Sequence, residues 1–330
     1  MCCGYISAKI HCKEGYLFMY IGVDLGGTNI AIGVVNKKGE ILNSGSRPTL
    51  SERPYQEIVK DMAELSIELI EGCGYTKADI EGIGIGSPGT IDSTNGVVVY
   101  ANNLGWDNVP LAEELKKYIN VPIAVENDAN AAAYGEYYVN GDGADSFVAI
   151  TLGTGVGGGI IIDKKIYRGF NGAGGELGHT VIVYNGEPCT CGTNGCWEAY
   201  ASVTALIRQT KKAIEENPDS LMAKLAEEQG KVSGRTSFDA AKAGDAAAQK
   251  VVDQYIEYVA CGVTNIINTF QPKTLVIGGG ISKEGDYLLN PIKEFSSKYS
   301  YCSAINQTEI KIATLMNDAG IIGAALASAL

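Results

Sequence analysis

Apolar and polar positions along the chain predict the same small unit twice. An apolar run over 20–24 meets Gly26, Gly27 and Thr28; a second run covers Asn29–Asn36, a turn falls at 37–39, and a short strand follows over 40–43. Strand, tight turn, strand predicts antiparallel hairpins. The arrangement returns at Ser146–Leu152, with Gly153, Thr154 and Gly155 in the turn, glycines at 157–159, a strand through 160–162 and a charged turn at 163–165. Two similar hairpins imply two similar halves. Over Ala246–Phe270, Val251, Tyr255, Val259, Val263, Ile266 and Phe270 recur at helical spacing, which predicts a long amphipathic helix. It leads into an apolar strand at 274–277 and a turn made of Gly278, Gly279 and Gly280. A short strand over 121–125 opens through Glu126, Asn127, Asp128, Ala129 and Asn130 into an alanine-rich helix ending near Tyr138. Another apolar strand ends in Gly84, Gly86, Ser87, Pro88 and Gly89.

Composition bounds what these elements build. With 330 residues, 45% apolar and 19% charged, the chain is globular and long enough for two domains. A net charge of −12 and a pI near 4.8 argue against nucleic acid or an anionic membrane as partner, since both demand a positive field. No apolar stretch reaches the roughly 20 residues that span a bilayer, and residues 16–21 lack the basic start of a secretory signal. A cytoplasmic location is expected, with the nine cysteines as thiols and metal ligands rather than disulfides. Residues 1–18 stand apart as an N-terminal extension, disordered or a mis-called start. Cys2, Cys3, His11 and Cys12 in it are too irregularly spaced for a convincing second metal site.

Candidate chemistry concentrates in four places. His179, Cys189, Cys191 and Cys196 match the one-histidine, three-cysteine set of structural zinc, with Glu176 and Glu198 just outside. Gly192 and Gly195 let the loop turn sharply. A Cys189/Cys191 redox pair, or unrelated buried thiols beside a core histidine, is the competing reading. The turns at Gly26, Gly27, Thr28 and at Gly153, Thr154, Gly155 bare backbone amides suited to phosphate oxygens, and Asp24 at a strand end can hold magnesium through water; plain hairpin turns use the same residues. Gly153, Gly155 and Gly158 also satisfy G-x-G-x-x-G, but a dinucleotide loop opens a helix and this one runs into β-branched residues. No Walker loop occurs. Asp128, at the end of a strand, is a candidate general base with Asn127 fixing the substrate, although both residue types also cap helices. The Ser87 hydroxyl and the Asn102 and Asn103 amides, in the loops at 84–89 and 102–103, suit a ligand with many hydroxyls, or simply turns.

Taken together, Asp24-Leu25-Gly26-Gly27-Thr28, the 126–130 segment, 152–159, Gly174-Gly175-Glu176-Leu177-Gly178-His179 and the run 189–198 resemble the ROK family of repressors and sugar kinases over about 19–330. Within the family, 102–115 is most similar to bacterial glucokinases. The resemblance implies an α/β, actin-like ATPase fold of the hexokinase type, with two RNase H-like domains flanking a cleft. The domains implied are 19–130 plus 318–330, and 131–317, the last helix at 318–329 crossing back to the first domain. It implies ATP phosphates at Asp24, Gly26, Gly27, Thr28, Gly153, Thr154 and Gly155, and adenosine beside Gly278, Gly279 and Gly280. Sugar hydroxyls would meet Gly89, Asn102, Asn127, Asp128, Glu176, His179 and Glu198, with Asp128 as base and structural zinc on His179, Cys189, Cys191 and Cys196. The implied reaction is ATP- and magnesium-dependent phosphorylation of glucose at its 6-hydroxyl. Kinases for N-acetylmannosamine, N-acetylglucosamine or fructose, and a non-catalytic sugar sensor, are the alternatives. A homodimer or homotetramer is implied too. Family repressors carry an additional DNA-binding module of three helices, for which 18 leading residues are too few.

Overall fold

The computed structural model describes residues 18–301, 304–305 and 307–329, so Cys2, Cys3, His11 and Cys12 lie outside the described residues. The chain divides into two compact units, one from the described part of Met1–Asp128 with Ala324–Leu330 and one from Ala129–Gly323.

In the first unit, β1 (Met19–Leu25), β2 (Asn29–Asn36) and β3 (Ile41–Pro48) form the antiparallel part of a sheet. Helix α1 (Tyr55–Gly72) follows, then β4 (Ile80–Ser87), and a small antiparallel sheet of β5 (Thr90–Asp92), β6 (Val97–Ala101) and β7 (Trp106–Val109). Helix α2 (Leu111–Lys116) and β8 (Ile123–Asn127) complete the unit's α/β layer. The main sheet runs β3-β2-β1-β4-β8, with β1, β4 and β8 parallel. The apolar run of β1 is buried almost throughout, as expected of a central strand covered on both faces. Ile58, Val59, Met62, Leu65 and Leu69 place one face of α1 in the core, and Gly45 leaves room where a Cβ would stand 3.3 Å from Leu65.

Three local expectations shift. The 40–43 strand extends to Pro48 as the sheet edge. The 121–125 strand instead spans Ile123–Asn127, so Glu126 and Asn127 are strand residues and the helix starts at Asp128. Gly84 and Gly86 lie inside β4 rather than at its end, and a Cβ on Gly84 would sit 1.7 Å from the Ala324 carbonyl oxygen. That glycine serves close packing, not a turn.

Helix α3 (Asp128–Asn140) starts at the boundary residue Asp128 and, within the second unit, leads into β9 (Ser146–Leu152), β10 (Val156–Ile162) and β11 (Lys165–Ile166). Helices α4 (Glu198–Ala201), α5 (Val203–Glu216), α6 (Leu221–Glu228), α7 (Thr236–Lys242) and α8 (Ala246–Phe270) follow. Then come β12 (Thr274–Gly278), α9 (Asp286–Tyr299) and β13 (Glu309–Ile312), and last α10 (Ala319–Ala327), whose residues from Ala324 on are counted with the first unit. The sheet order β11-β10-β9-β12-β13 repeats that of the first unit, with two antiparallel pairings followed by two parallel ones. The duplicated hairpin pattern thus marks a duplicated topology.

Glycines 157–159 are strand residues of β10. A Cβ on Gly158 would stand 2.7 Å from Leu177 Cδ1, and one on Gly159 2.4 Å from Ala133 Cβ, so this thin strand admits neighbours on both sides. A strand after Gly155 removes the dinucleotide reading, which needs a helix there. Helix α8 has the predicted bounds and is capped by Asp245, whose carboxylate accepts from the Ala247 and Ala248 amides. The final helix is shorter than the expected 318–329, because a 3-10 turn at Met316–Asp318 precedes it. Among the described residues no helix is long and apolar enough to cross a membrane.

Candidate active site and metal centre

Asp24, Gly26, Gly27, Thr28, Gly89, Asn102, Asn127 and Asp128 belong to the first unit. The 24–28 turn follows β1 and is closed by the Gly26 amide donating to Asn29 O at 2.9 Å. Thr49, fully buried, ties the turn from behind: its hydroxyl donates to Gly26 O at 2.6 Å and its amide to Thr28 O at 2.8 Å. Gly27 packs against Asn103, whose carbonyl oxygen would lie 3.1 Å from an added Cβ, so the phosphate-type turn adjoins the Asn102 loop. Asn127 Nδ2 donates to Gly89 O at 3.2 Å. Gly89 has φ 96°, and a Cβ there would meet Tyr100 O at 2.1 Å, so only glycine fits. Burial, and then the charge of Asp128, push the Asp24 carboxyl up to about 6. A poorly solvated carboxylate with a like charge nearby is a group that a cation relieves. Asp128 itself is the first residue of α3, at the carboxyl end of a parallel strand.

The second unit holds the remaining candidates. In the 153–155 turn every carbonyl is tied back: Gly153 O accepts from the Val203 amide at 2.8 Å, Thr154 O from the Thr204 hydroxyl at 2.7 Å and Gly155 O from the Gly153 amide at 3.0 Å. The Thr154 and Gly155 amides have no acceptor among the described residues. Two bared donors are what an anion requires. Gly279, at φ 88°, packs on the end of β9, where a Cβ would stand 2.2 Å from Leu152 O. Gly278 is not a turn residue but pairs with Thr151 at the end of β12, and Gly280 begins a 3-10 helix. The expected three-glycine turn is therefore a single turning residue with a strand end before it.

His179, Cys189, Cys191 and Cys196 converge, their donor atoms all within 4.8 Å of one another. Cys189 Sγ lies 3.7 Å from His179 Nδ1 and Cys191 Sγ 3.6 Å from Cys196 Sγ. A tetrahedron with zinc–sulfur bonds near 2.3 Å and a zinc–nitrogen bond near 2.0 Å has edges of about 3.5 to 3.8 Å. The donor set and its spacing therefore fit a metal ion, and a dithiol pair would leave His179 unaccounted for. Gly192 and Gly195 adopt φ 90° and 84°, and a Cβ on Gly195 would strike Val183 O at 1.8 Å. Burial pushes the Cys189 thiol up to about 11, while hydrogen bonding with Thr193 draws Cys191 down to about 6. At neutral pH Cys191 is then largely a thiolate, and the proton that Cys189 holds would leave when a cation binds. His179 presents Nδ1 to the thiols, so Nε2 faces away from them.

Glu176 and His179 flank Gly178, whose added Cβ would stand 2.2 Å from Val156 O, so their 3-10 turn packs on the strand leaving the 153–155 turn. Glu198 starts α4 directly after Trp197, a fully buried ring whose Nε1 donates to Tyr258 O at 2.8 Å. Thr49, Thr190, Thr193 and Thr204 are site residues that sequence reading missed. Thr49 and Thr204 bond backbone carbonyls 23 and 50 positions away, which no local pattern signals, whereas Thr193 bonds the Cys191 and Cys196 sulfurs two and three positions off, a spacing the sequence did offer.

Repeated five-stranded sheets, each with a glycine turn after its first hairpin strand, constitute the actin-like ATPase fold, shared with solved sugar kinases. Residues 20–329 match the ROK family, and the chain belongs to that family. It is 41% identical to the glucokinase of Halalkalibacterium halodurans over 306 residues, 92% of this chain and 93% of that one. To the glucokinase of Thermotoga maritima it is 41% identical over 307 residues, 92% and 95% of the two chains. A ROK family glucokinase from Streptomyces griseus, solved in complex with glucose and AMPPNP, superposes with a TM-score of 0.77 at 35% identity over 93% of this chain and 98% of that one.

Proposed function

We propose that this protein is an ATP-dependent glucokinase that transfers the γ-phosphoryl group of ATP to the 6-hydroxyl of glucose, with Asp128 as general base. The observation that carries the reading is the pairing of Asp128 with Asp24 beside a closed phosphate-type turn, in a chain similar to glucokinases along nearly all its length. Phosphoryl transfer asks for positioning and charge neutralisation more than for covalent chemistry from the protein. Asp128 orients the attacking hydroxyl and takes its proton as the new bond forms. Asn102, Asn127, Glu176, His179 through Nε2, and Glu198 hold the other hydroxyls, with Gly89 beneath Asn127. Gly26, Gly27, Thr28, Gly153, Thr154 and Gly155 receive the phosphates, and Gly278, Gly279 and Gly280 flank the adenosine.

Asp24 would hold magnesium, which would supply neutralising charge to the phosphate oxygens when bound. Zinc on His179, Cys189, Cys191 and Cys196 supplies rigidity when bound, so that His179 and Glu198 keep their orientation. The protein acts in the cytoplasm as a homodimer or homotetramer, a point that sedimentation settles directly. A coupled assay with ATP, magnesium and a panel of glucose, N-acetylmannosamine, N-acetylglucosamine and fructose tests the assignment. Glucose is expected to give the highest kcat/KM. A higher value for an N-acetylated sugar moves the protein to a sister kinase, and phosphorylation of none removes the kinase reading.

A further inference from the structure

Glu198 reaches further than a sugar-binding role requires. Its Oε2 accepts a hydrogen bond from the Val156 amide at 2.9 Å, at the point where the 153–155 turn becomes β10. The same oxygen lies over Gly155, where an added Cβ would stand 2.3 Å away. Its Oε1 accepts from the Thr190 hydroxyl at 3.3 Å and lies 3.8 Å from Cys189 Sγ. One carboxylate thus joins two segments more than 30 positions apart in sequence, the metal loop on one side and the phosphate turn on the other.

We propose that Glu198 is a positioning residue for the phosphate turn, with Thr190 fixing the carboxylate, so that the metal loop sets the geometry in which the Thr154 and Gly155 amides meet a nucleotide phosphate. This rests on the kinase reading above and adds a coupling to it. Neighbouring bonds restrain the turn at its three carbonyls, from Val203, Thr204 and Gly153. Glu198 adds a side-chain restraint from the metal loop, on the amide that follows Gly155. A hydrogen bond to a charged acceptor is stronger than a neutral one, and its loss loosens the end of the turn, so that the two bared amides are held less tightly. A side chain that touches sugar and also braces the phosphate turn links the two affinities, because ordering it for one ligand removes part of the ordering cost for the other.

The test is binding of AMPPNP with magnesium to sugar-free protein, measured by calorimetry, alongside glucose binding without nucleotide. Glu198→Ala is expected to weaken AMPPNP by about tenfold, the scale of one charge-assisted hydrogen bond. Glu198→Asp keeps the charge but draws the carboxylate back by one methylene, and is expected to lose a similar amount. Glu198→Gln retains an acceptor for Val156 and should stay within about threefold of the parent. Thr190→Val, at an exposed position, should lose about threefold. The rescue by glutamine separates bracing from general damage to the fold. Wild-type AMPPNP affinity in the Asp and Ala variants, with glucose affinity lowered, overturns the proposal and leaves the kinase assignment standing. If the parent protein binds neither AMPPNP nor glucose, it is the kinase assignment that falls.

Discussion

Asp128→Asn separates the proposed role of Asp128 as base from its electrostatic cost. Asp24 has its carboxyl pushed from 3.8 up to about 6, first by burial and then by the charge of Asp128. The displacement corresponds to roughly 3 kcal/mol between the two protonation states, an upper bound because Asp24 keeps part of its solvent. Below about pH 3.8 the carboxyl is neutral whether the chain is folded or not, and no penalty exists. As pH rises through about 6 the folded chain must hold a poorly solvated carboxylate, so stability is lost across that window and stays lost above it. Burial is the larger cause, so neutralising residue 128 relieves less than half of the penalty, under about 1.5 kcal/mol. The Asp24 midpoint in Asp128→Asn should therefore fall below about 6 yet remain above 3.8. Carboxyl-carbon NMR titration without nucleotide or magnesium, with Asp24→Asn identifying the resonance, reads this directly. Turnover in the same variant should drop by roughly 10² to 10⁴-fold, the usual contribution of a general base, with glucose binding largely kept. An Asp24 midpoint that does not move would refute the shared field of the two carboxylates. Surviving turnover would refute the base.

Stripping the metal loop with a chelator, or Cys191→Ser, is expected to lower glucose affinity and melting temperature together; unchanged glucose affinity in metal-free protein would end the orienting role of the loop. Gly262→Ala drives a methyl to 2.0 Å from Trp197 Cε2 and should cost about 1 to 3 kcal/mol in urea unfolding. Because Trp197 precedes Glu198, glucose affinity should fall in that variant as well. Glu136 is buried and accepts from the Leu315 amide at 2.7 Å, the Thr314 amide at 3.2 Å and Asn140 Nδ2 at 2.7 Å. Glu136→Ala strands these donors and should destabilise by about 3 kcal/mol, with a smaller loss for Glu136→Gln.

The chain by itself determined whatever depends on near neighbours. Hairpin strands separated by glycine turns, the 25-residue helix α8 and the four His and Cys donors that converge in one loop could be read because strand alternation, helical spacing and donor type are local properties. The positive φ of Gly192 and Gly195 was legible for the same reason. Tertiary structure decided what rests on distant partners. Glycine serves turns, thin strands and close packing alike, so the sequence did not distinguish Gly84 in β4, packed on Ala324, or the 157–159 run in β10, from turn residues. Thr49, Thr190 and Thr204 look like ordinary surface threonines until the fold sets each beside a turn or carboxylate from another segment. The bond from Val156 to Glu198 spans 42 positions and involves a backbone amide, which carries no residue identity to read. Local chemistry named the candidate groups, and long-range packing decided which of them hold one another in place.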